Sequence, residues 1–287
     1  MVALWCRLPV LVRAILVGAL VTTLGTVPWA LLASLNLRHL RAVPWAVPPT
    51  LLYLWLFWRY FGGAGPPRST AEARRAARRA FSLPDEVWSA AIFAGIVGMM
   101  GIVMLQQVTS RLVRLPQQEA PDLTGMPLPT VAAILVTGAV VAGVVEETAF
   151  RGYMQGPIER RHGPWVAVLV TGLLFAFAHF THPETTVALI PYYMAVAAVY
   201  GMLAYLTGSI LPGVVLHALG DVFVGLGLVA RGQSEWQLAG KPATTIWESG
   251  ADASFWLTAA GLVAIAAVTV WAYAALASIA RTAREAA

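Results

Sequence analysis

Three apolar stretches of this chain carry side chains that can do chemistry. In AVVAGVVEETAFRGYM (139–154), two adjacent carboxylates, Glu146 and Glu147, follow a run of Ala, Val and Gly, with Arg151 four residues after Glu147. In LLFAFAHF (173–180), Phe175 and His179 are four apart, and in VVLHALGDVF (214–223), His217 and Asp221 repeat that spacing. Residues four apart share one face of a helix. Glu147 and Arg151 stand in the favourable order for a helical ion pair, acid first. Glu146, rotated by one residue, is left for another task. Asp221, one turn from His217, can accept a ring N–H and set the tautomer.

A carboxylate among apolar side chains suits general-base work, and with an imidazole it can strip a proton from water. A second imidazole with a polar neighbour can stabilise the oxyanion of a tetrahedral intermediate. Together these groups describe hydrolysis of an acyl bond. The same groups could instead hold a metal: Glu146, His179 and His217 match a catalytic zinc set with one open position. No HExxH is present, which excludes the ordinary zinc-protease helix.

The elements that must position these residues are membrane helices. The chain has 287 residues, 59% hydrophobic and 11% charged, with mean hydropathy +0.71, whereas a soluble domain carries about 25% charged residues. The expected fold is all-α, a polytopic transmembrane bundle. Spans of about 20 residues fall at 9–35, 43–61, 87–107, 128–150, 164–182, 186–207, 210–230 and 253–279, eight in all. The first span lacks a cleavage pattern and reads as uncleaved. An ionisable side chain inside a span costs roughly 2.5–3.5 kcal/mol on insertion scales and usually lines an interior cavity. This draws attention to Glu146, Glu147, Arg151, His179, His217 and Asp221, which lie in or beside three of the spans.

Three regions follow: N-terminal helices over 1–127, a core over 128–230 that holds the chemistry, and a loop with a last helix over 231–287. Net charge is +5, and eighteen of nineteen basic residues are Arg, read as a high-GC bacterial codon bias rather than a nucleic-acid surface. Lys and Arg counts of thirteen against six, with Arg231 and Lys241 among the six, put both termini in the cytoplasm. The single Cys6 excludes an internal disulfide or a cysteine metal cluster. The segment 68–86 contains Arg74, Arg75, Arg78 and Arg79 after a Ser69/Glu72 capping-box pattern. It reads as a short basic helix, either resting on anionic headgroups or serving only as a positive-inside signal.

If the span from 128 continues as helix through GYMQGPIERRH, its turn falls near Gly163. Glu146 then lies seventeen residues before that turn and His179 sixteen after it, at matching height. Pro157 argues against an unbroken helix. Ser209 and Pro212 read as the start of the seventh span. His39, His162, His182, Glu159 and Glu184 read as loop-edge charges, and Trp45, Trp58, Trp88 and Trp165 as interfacial anchors.

The ordered set EExxxR (Glu146, Glu147, Arg151), FxxxH (Phe175, His179) and HxxxD (His217, Asp221), with flanks EETAFRGYMQGPIERRHG and TGSILPGVVLHALGD, resembles the CPBP family of CAAX proteases and bacteriocin-processing enzymes. The resemblance covers about 128–230. It implies an intramembrane endopeptidase of eight helices, acting on a peptide or a membrane-protein tail; with the composition, the expected location is a bacterial inner membrane. Glu146 would activate water with help from His179, Glu147 and Arg151 would form a structural or substrate-orienting pair, and His217 with Asp221 would face the oxyanion. Many members have Asn at the position of Asp221, and an ionised Asp cannot donate to an oxyanion. The rival readings are a proton-coupled transporter, which calls for an inverted repeat that the sequence does not display, and a non-catalytic scaffold or immunity protein.

Overall fold

The computed structural model describes residues 5, 7–115, 126–179, 183–231 and 244–286. Cys6, His182 and Lys241 lie outside them, as do the side chains of Glu184 and Arg231. The described chain is helical, with no strand: α1 (Val10–Arg38), α2 (Val47–Phe61), α3 (Ala71–Arg78), α4 (Asp85–Leu112), α5 (Leu128–Glu146), a π-helical segment (Glu147–Gln155), α6 (Gly156–His162), α7 (Pro164–Ala178), α8 (Pro183–Thr207), α9 (Leu211–Arg231), the single turn α10 (Ile246–Ser249) and α11 (Ala253–Glu285). Five of its helices are long and apolar enough to cross a membrane: Val10–Arg38, Asp85–Leu112, Leu128–His162, Val187–Thr207 and Ala253–Glu285. Pro164–Ala178 and Leu211–Gly227 are shorter apolar helices, and α2 has 15 residues. At 1.5 Å per residue, a helix of that length reaches only about 22 Å of a hydrocarbon core about 30 Å thick. The eight spans expected from hydropathy thus correspond to helices of unequal reach, five of them of spanning length among the described residues.

The chain forms two compact units. The first comprises Met1–Ser82, Asp122–Ala167 and Gly208–Leu226. In it α1 packs along α5, the π segment and α6, while α3 lies on α2 and the π segment. Buried Asn36 closes the turn from α1 to α2, accepting from the Ala46 amide (2.9 Å) and donating to the Val43 carbonyl (3.0 Å). The helix from Leu128 runs on to His162, as expected, and turns at Gly163, whose φ is +84°. Pro157 does not break it. Proline removes one donor and crowds the carbonyl four residues back, and the widened π turns end two residues before it.

The second unit comprises Leu83–Pro121, Val168–Thr207 and Gly227–Ala287, with α4, α8 and α11 packed together. Tyr273 donates to the Val199 carbonyl at 2.9 Å, a polar tie between two apolar helices. Asp252 caps α11 by accepting from the Phe255 amide (2.8 Å) and pairs with Arg111 (3.3 Å). The Phe255 N–H, then Arg111, hold its carboxyl below the usual range.

The basic segment is more enclosed than a helix resting on headgroups would be. A 3-10 turn, Arg68–Thr70, precedes α3, and no side chain caps the helix, so the Ser69/Glu72 capping box does not form. Arg74 is buried rather than spread on a surface. Its guanidinium donates to the carbonyls of Tyr60 (2.9 Å), Pro67 (3.1 Å), Ala64 (3.0 Å) and Gly65 (3.0 Å) and to the Thr70 hydroxyl, and lies 4.3 Å from the centre of the Tyr60 ring. Arg78 sits 4.2 Å from the Trp58 ring and donates to the Trp58 carbonyl at 2.8 Å. Only Arg75 of the four is exposed. Glu159, expected as a loop charge, is helical and pairs with Arg79 at 3.2 Å.

A Lys at position 74 has three donors on a point charge and cannot reproduce this planar fork. Arg74→Lys is expected to destabilise the protein by at least about 2 kcal/mol, the scale of charged hydrogen bonds lost in a buried site. Thermal unfolding of the purified protein in detergent checks this.

Candidate active site

The junction of α5 with the π segment carries the acids. Glu146 is the last residue of α5, and Glu147 opens turns in which Glu147, Thr148, Arg151 and Gln155 are all essentially without solvent exposure. π turns insert extra backbone into a helix and often mark functional sites. Here they send four polar side chains inward from a segment whose neighbours are apolar.

His217 of α9 meets these acids in the first unit. Its Nδ1 lies 3.0 Å from Glu147 Oε1. A carboxylate can only accept, so Nδ1 carries the proton and donates. The same Glu147 oxygen is 3.3 Å from Arg151 Nη1, and that ion pair is fully buried, at 1% and 0% side-chain exposure. On the other side of the ring, Nε2 lies 3.7 Å from Glu146 Oε2 and 3.7 Å from Asp221 Oδ2. One imidazole thus stands among three carboxylates, one on Nδ1 and two toward Nε2. Side-chain exposure rises from 0% at Glu147 to 19% at Glu146 and 41% at Asp221, so the Nε2 side is the one that opens outward.

This assignment differs from the spacing argument. Asp221, one turn along from His217, does not take the Nδ1 proton; Glu147, seventy positions away, does. Glu147 therefore serves Arg151 and His217 together. Glu146 is next to the imidazole rather than partnerless, yet its buried Oε2 accepts no hydrogen bond within the described residues.

The close approach that allows this depends on Gly213, which sequence reasoning passed over. A Cβ there would lie 2.7 Å from Glu147 Oε2, inside van der Waals contact. Across the same helix pair, a Cβ at Gly143 would meet the Val214 carbonyl at 2.8 Å and the Ala218 amide at 2.9 Å. The signal was present in LPGVVLH: Gly213 precedes His217 by four residues and so shares its face.

In the second unit, Phe175 and His179 do share a face. His179 Nδ1 donates to the Phe175 carbonyl at 2.7 Å, which directs Nε2 away from its own helix backbone. The ring is stacked on Tyr193 (centroids 4.7 Å, 26°) and lies against Phe175 (4.6 Å). Tyr193, like Gly213, was not singled out from sequence, because an aromatic residue in a helix more often packs than positions. Among the described residues, no group of three or more His, Cys, Asp or Glu side chains is arranged to hold a metal ion.

Helical segments of membrane-crossing length around buried carboxylates, an arginine and an imidazole define a membrane protein with an ionisable interior site. Residues 128–223, about one third of the chain, match the family model of type II CAAX prenyl endopeptidases, Rce1-like. With all three motifs inside it, the match supports membership of the CAAX/CPBP family. No curated protein and no solved structure matches the chain at a significant level.

Gly213→Ala is expected to push Glu147 off His217, at an overpacking cost of about 1–3 kcal/mol. Thermal unfolding beside histidine NMR checks this: a displaced His217 resonance with modest loss of stability is the expected result.

Proposed function

We propose that this protein is an intramembrane endopeptidase in which Glu146 and His217 activate water for attack on a peptide bond. The observation that carries this reading is the buried Glu146 Oε2, which has no hydrogen-bond partner within the described residues and stands 3.7 Å from His217 Nε2. In this reading a water enters between the two atoms and comes within hydrogen-bond distance of both. Such a water donates one hydrogen to Glu146 Oε2 and the other to Nε2, leaving an oxygen lone pair directed at a carbonyl carbon. Glu146 takes the proton as the C–O bond forms, then returns it to the amine as the C–N bond breaks.

Glu147 acts behind the imidazole. By accepting the Nδ1 proton it selects the tautomer whose Nε2 faces the water, the role a buried acid plays toward a catalytic histidine. Arg151 balances the charge of Glu147, so that a carboxylate with no solvent exposure persists in an apolar helix. Asp221, on the Nε2 side and partly exposed, accepts from groups held there rather than setting the tautomer. For His179 the proposed part is assistance to the same reaction. It follows from the FxxxH motif in the matched family segment and from the Phe175 and Tyr193 contacts that fix its ring.

The substrate class is a peptide or the tail of a membrane protein, as the family implies. The proposed location is the inner membrane of a bacterium, from the Arg-dominated basic composition, with both termini in the cytoplasm, from the charge asymmetry of the loops. Cleavage of a mixed quenched-fluorescent peptide library by protein in lipid vesicles tests the activity. Glu146→Gln and His217→Ala are each expected to slow cleavage at least about 100-fold, the range general acid–base groups contribute. His179→Ala is expected to slow it as well. Cleavage retained by a Glu146→Gln/His217→Ala double variant would overturn the roles given to these residues, and no cleavage by the parent protein would favour a scaffold or a transporter. Elemental analysis with chelator treatment decides whether the water is bound by protein groups alone: stoichiometric zinc whose removal abolishes cleavage would make it metal-bound.

A further inference from the structure

The strand of chain that links α3 to α4 does more than carry charge. Arg79, just past the end of α3, has a left-handed backbone (φ +57°), a conformation uncommon for a side-chain-bearing residue. The turn directs its carbonyl to the Ile210 amide, which donates to it at 2.9 Å. Two residues on, the Phe81 carbonyl accepts from the hydroxyl of fully buried Ser209 at 2.7 Å, and that hydroxyl also accepts from the Leu211 amide at 3.3 Å. The start of α9 is therefore held by carbonyls of residues 79 and 81.

The same segment grips the π helix on its other side. The Arg79 guanidinium donates to both carboxylate oxygens of Glu159 (3.2 and 3.4 Å) and reaches the carbonyl of Arg151 at 3.5 Å. Gln155 also donates to Glu159, at 3.2 Å. Backbone contact is direct, because a Cβ at Gly152 would meet the Ala77 carbonyl at 2.8 Å. One short segment thus touches the helix that carries Glu147 and Arg151 and the helix that carries His217.

We propose that residues 78–81 form a strap that sets the register of α9 against the π segment, with Arg79 and Ser209 as positioning residues for the Glu147–His217 contact. The proposal deepens the catalytic reading and, for its activity arm, rests on it. Ile210 lies seven residues before His217, two helical turns or about 10 Å away. Over that length a helix moves as a rigid rod. A shift at its tethered end reaches a hydrogen bond that tolerates only a few tenths of an ångström. Neither Arg79 nor Ser209 touches the reacting atoms.

Two readouts test this in the full-length protein in lipid vesicles, with Ser209→Ala, Arg79→Gln and the charge-exchanged pair Arg79→Glu/Glu159→Arg. One is hydrogen exchange at the backbone amides of 208–217; the other is the split of kcat from KM on the library peptide cleaved best. Ser209→Ala and Arg79→Gln should speed exchange in 208–217 at least severalfold and lower kcat about tenfold with KM near that of the parent. The exchanged pair should recover part of both losses relative to Arg79→Glu alone. Parent-like exchange in 208–217, or a fall in rate that only tracks a smaller folded fraction, would overturn the strap. Cleavage that survives Glu146→Gln would instead defeat the catalytic reading, and the exchange measurement would still decide the strap.

Discussion

A carboxylate shut away from solvent inside an apolar helix is the constraint around which the first unit is arranged. Glu147 has no exposed surface, and an unpaired buried charge costs several kcal/mol even after relaxation. Arg151 answers it from one turn along the same helix, and His217 answers it from another helix. The second answer is conditional. It requires α9 to come so near that Gly213 faces the carboxylate and Gly143 faces α9 backbone. Small residues of this kind let membrane helices touch backbone to backbone. The polar requirement and the packing requirement are therefore one requirement, met at the same helix crossing.

The consequence for chemistry is directional. With Nδ1 committed to Glu147, the imidazole presents Nε2 toward the more exposed side, where Glu146 and Asp221 stand at equal distance. Neighbouring acids in the sequence thus have opposite surroundings. Glu147 is sealed, with Oε1 shared between Arg151 and His217, whereas Glu146 is partly accessible; each keeps an Oε2 without a hydrogen-bond partner among the described residues. Pairs of like groups driven into different environments are how one site divides structural from reactive roles. His179, in the other unit, solves a related problem locally: a carbonyl of its own helix takes Nδ1 and a tyrosine face supports the ring.

The basic segment shows what a charge count leaves out. Four arginines in six residues suggest a surface facing anionic lipid, and composition offers no means of telling a solvated guanidinium from an enclosed one. Arg74 is enclosed because the turn after α2 and the end of that helix offer four carbonyls to its fork of donors. Arg79 is enclosed because Glu159 and the Arg151 carbonyl lie within its reach. Both arrangements depend on loops and on partners up to eighty residues away, where no periodicity operates.

Sequence alone determined the class of fold, since hydropathy over long runs admits only helices when no water is present to satisfy the backbone. It also determined the Glu147–Arg151 pair, the Phe175–His179 face and the turn at Gly163, because those relations are set by helical spacing within one element. Tertiary structure alone decided which acid takes the Nδ1 proton of His217. Asp221 and Glu147 both qualify by chemistry, and Asp221 is nearer along the chain. The choice falls to Glu147 because two glycines let α9 press against the π segment, and the separation between helices is a property of packing that no local spacing encodes.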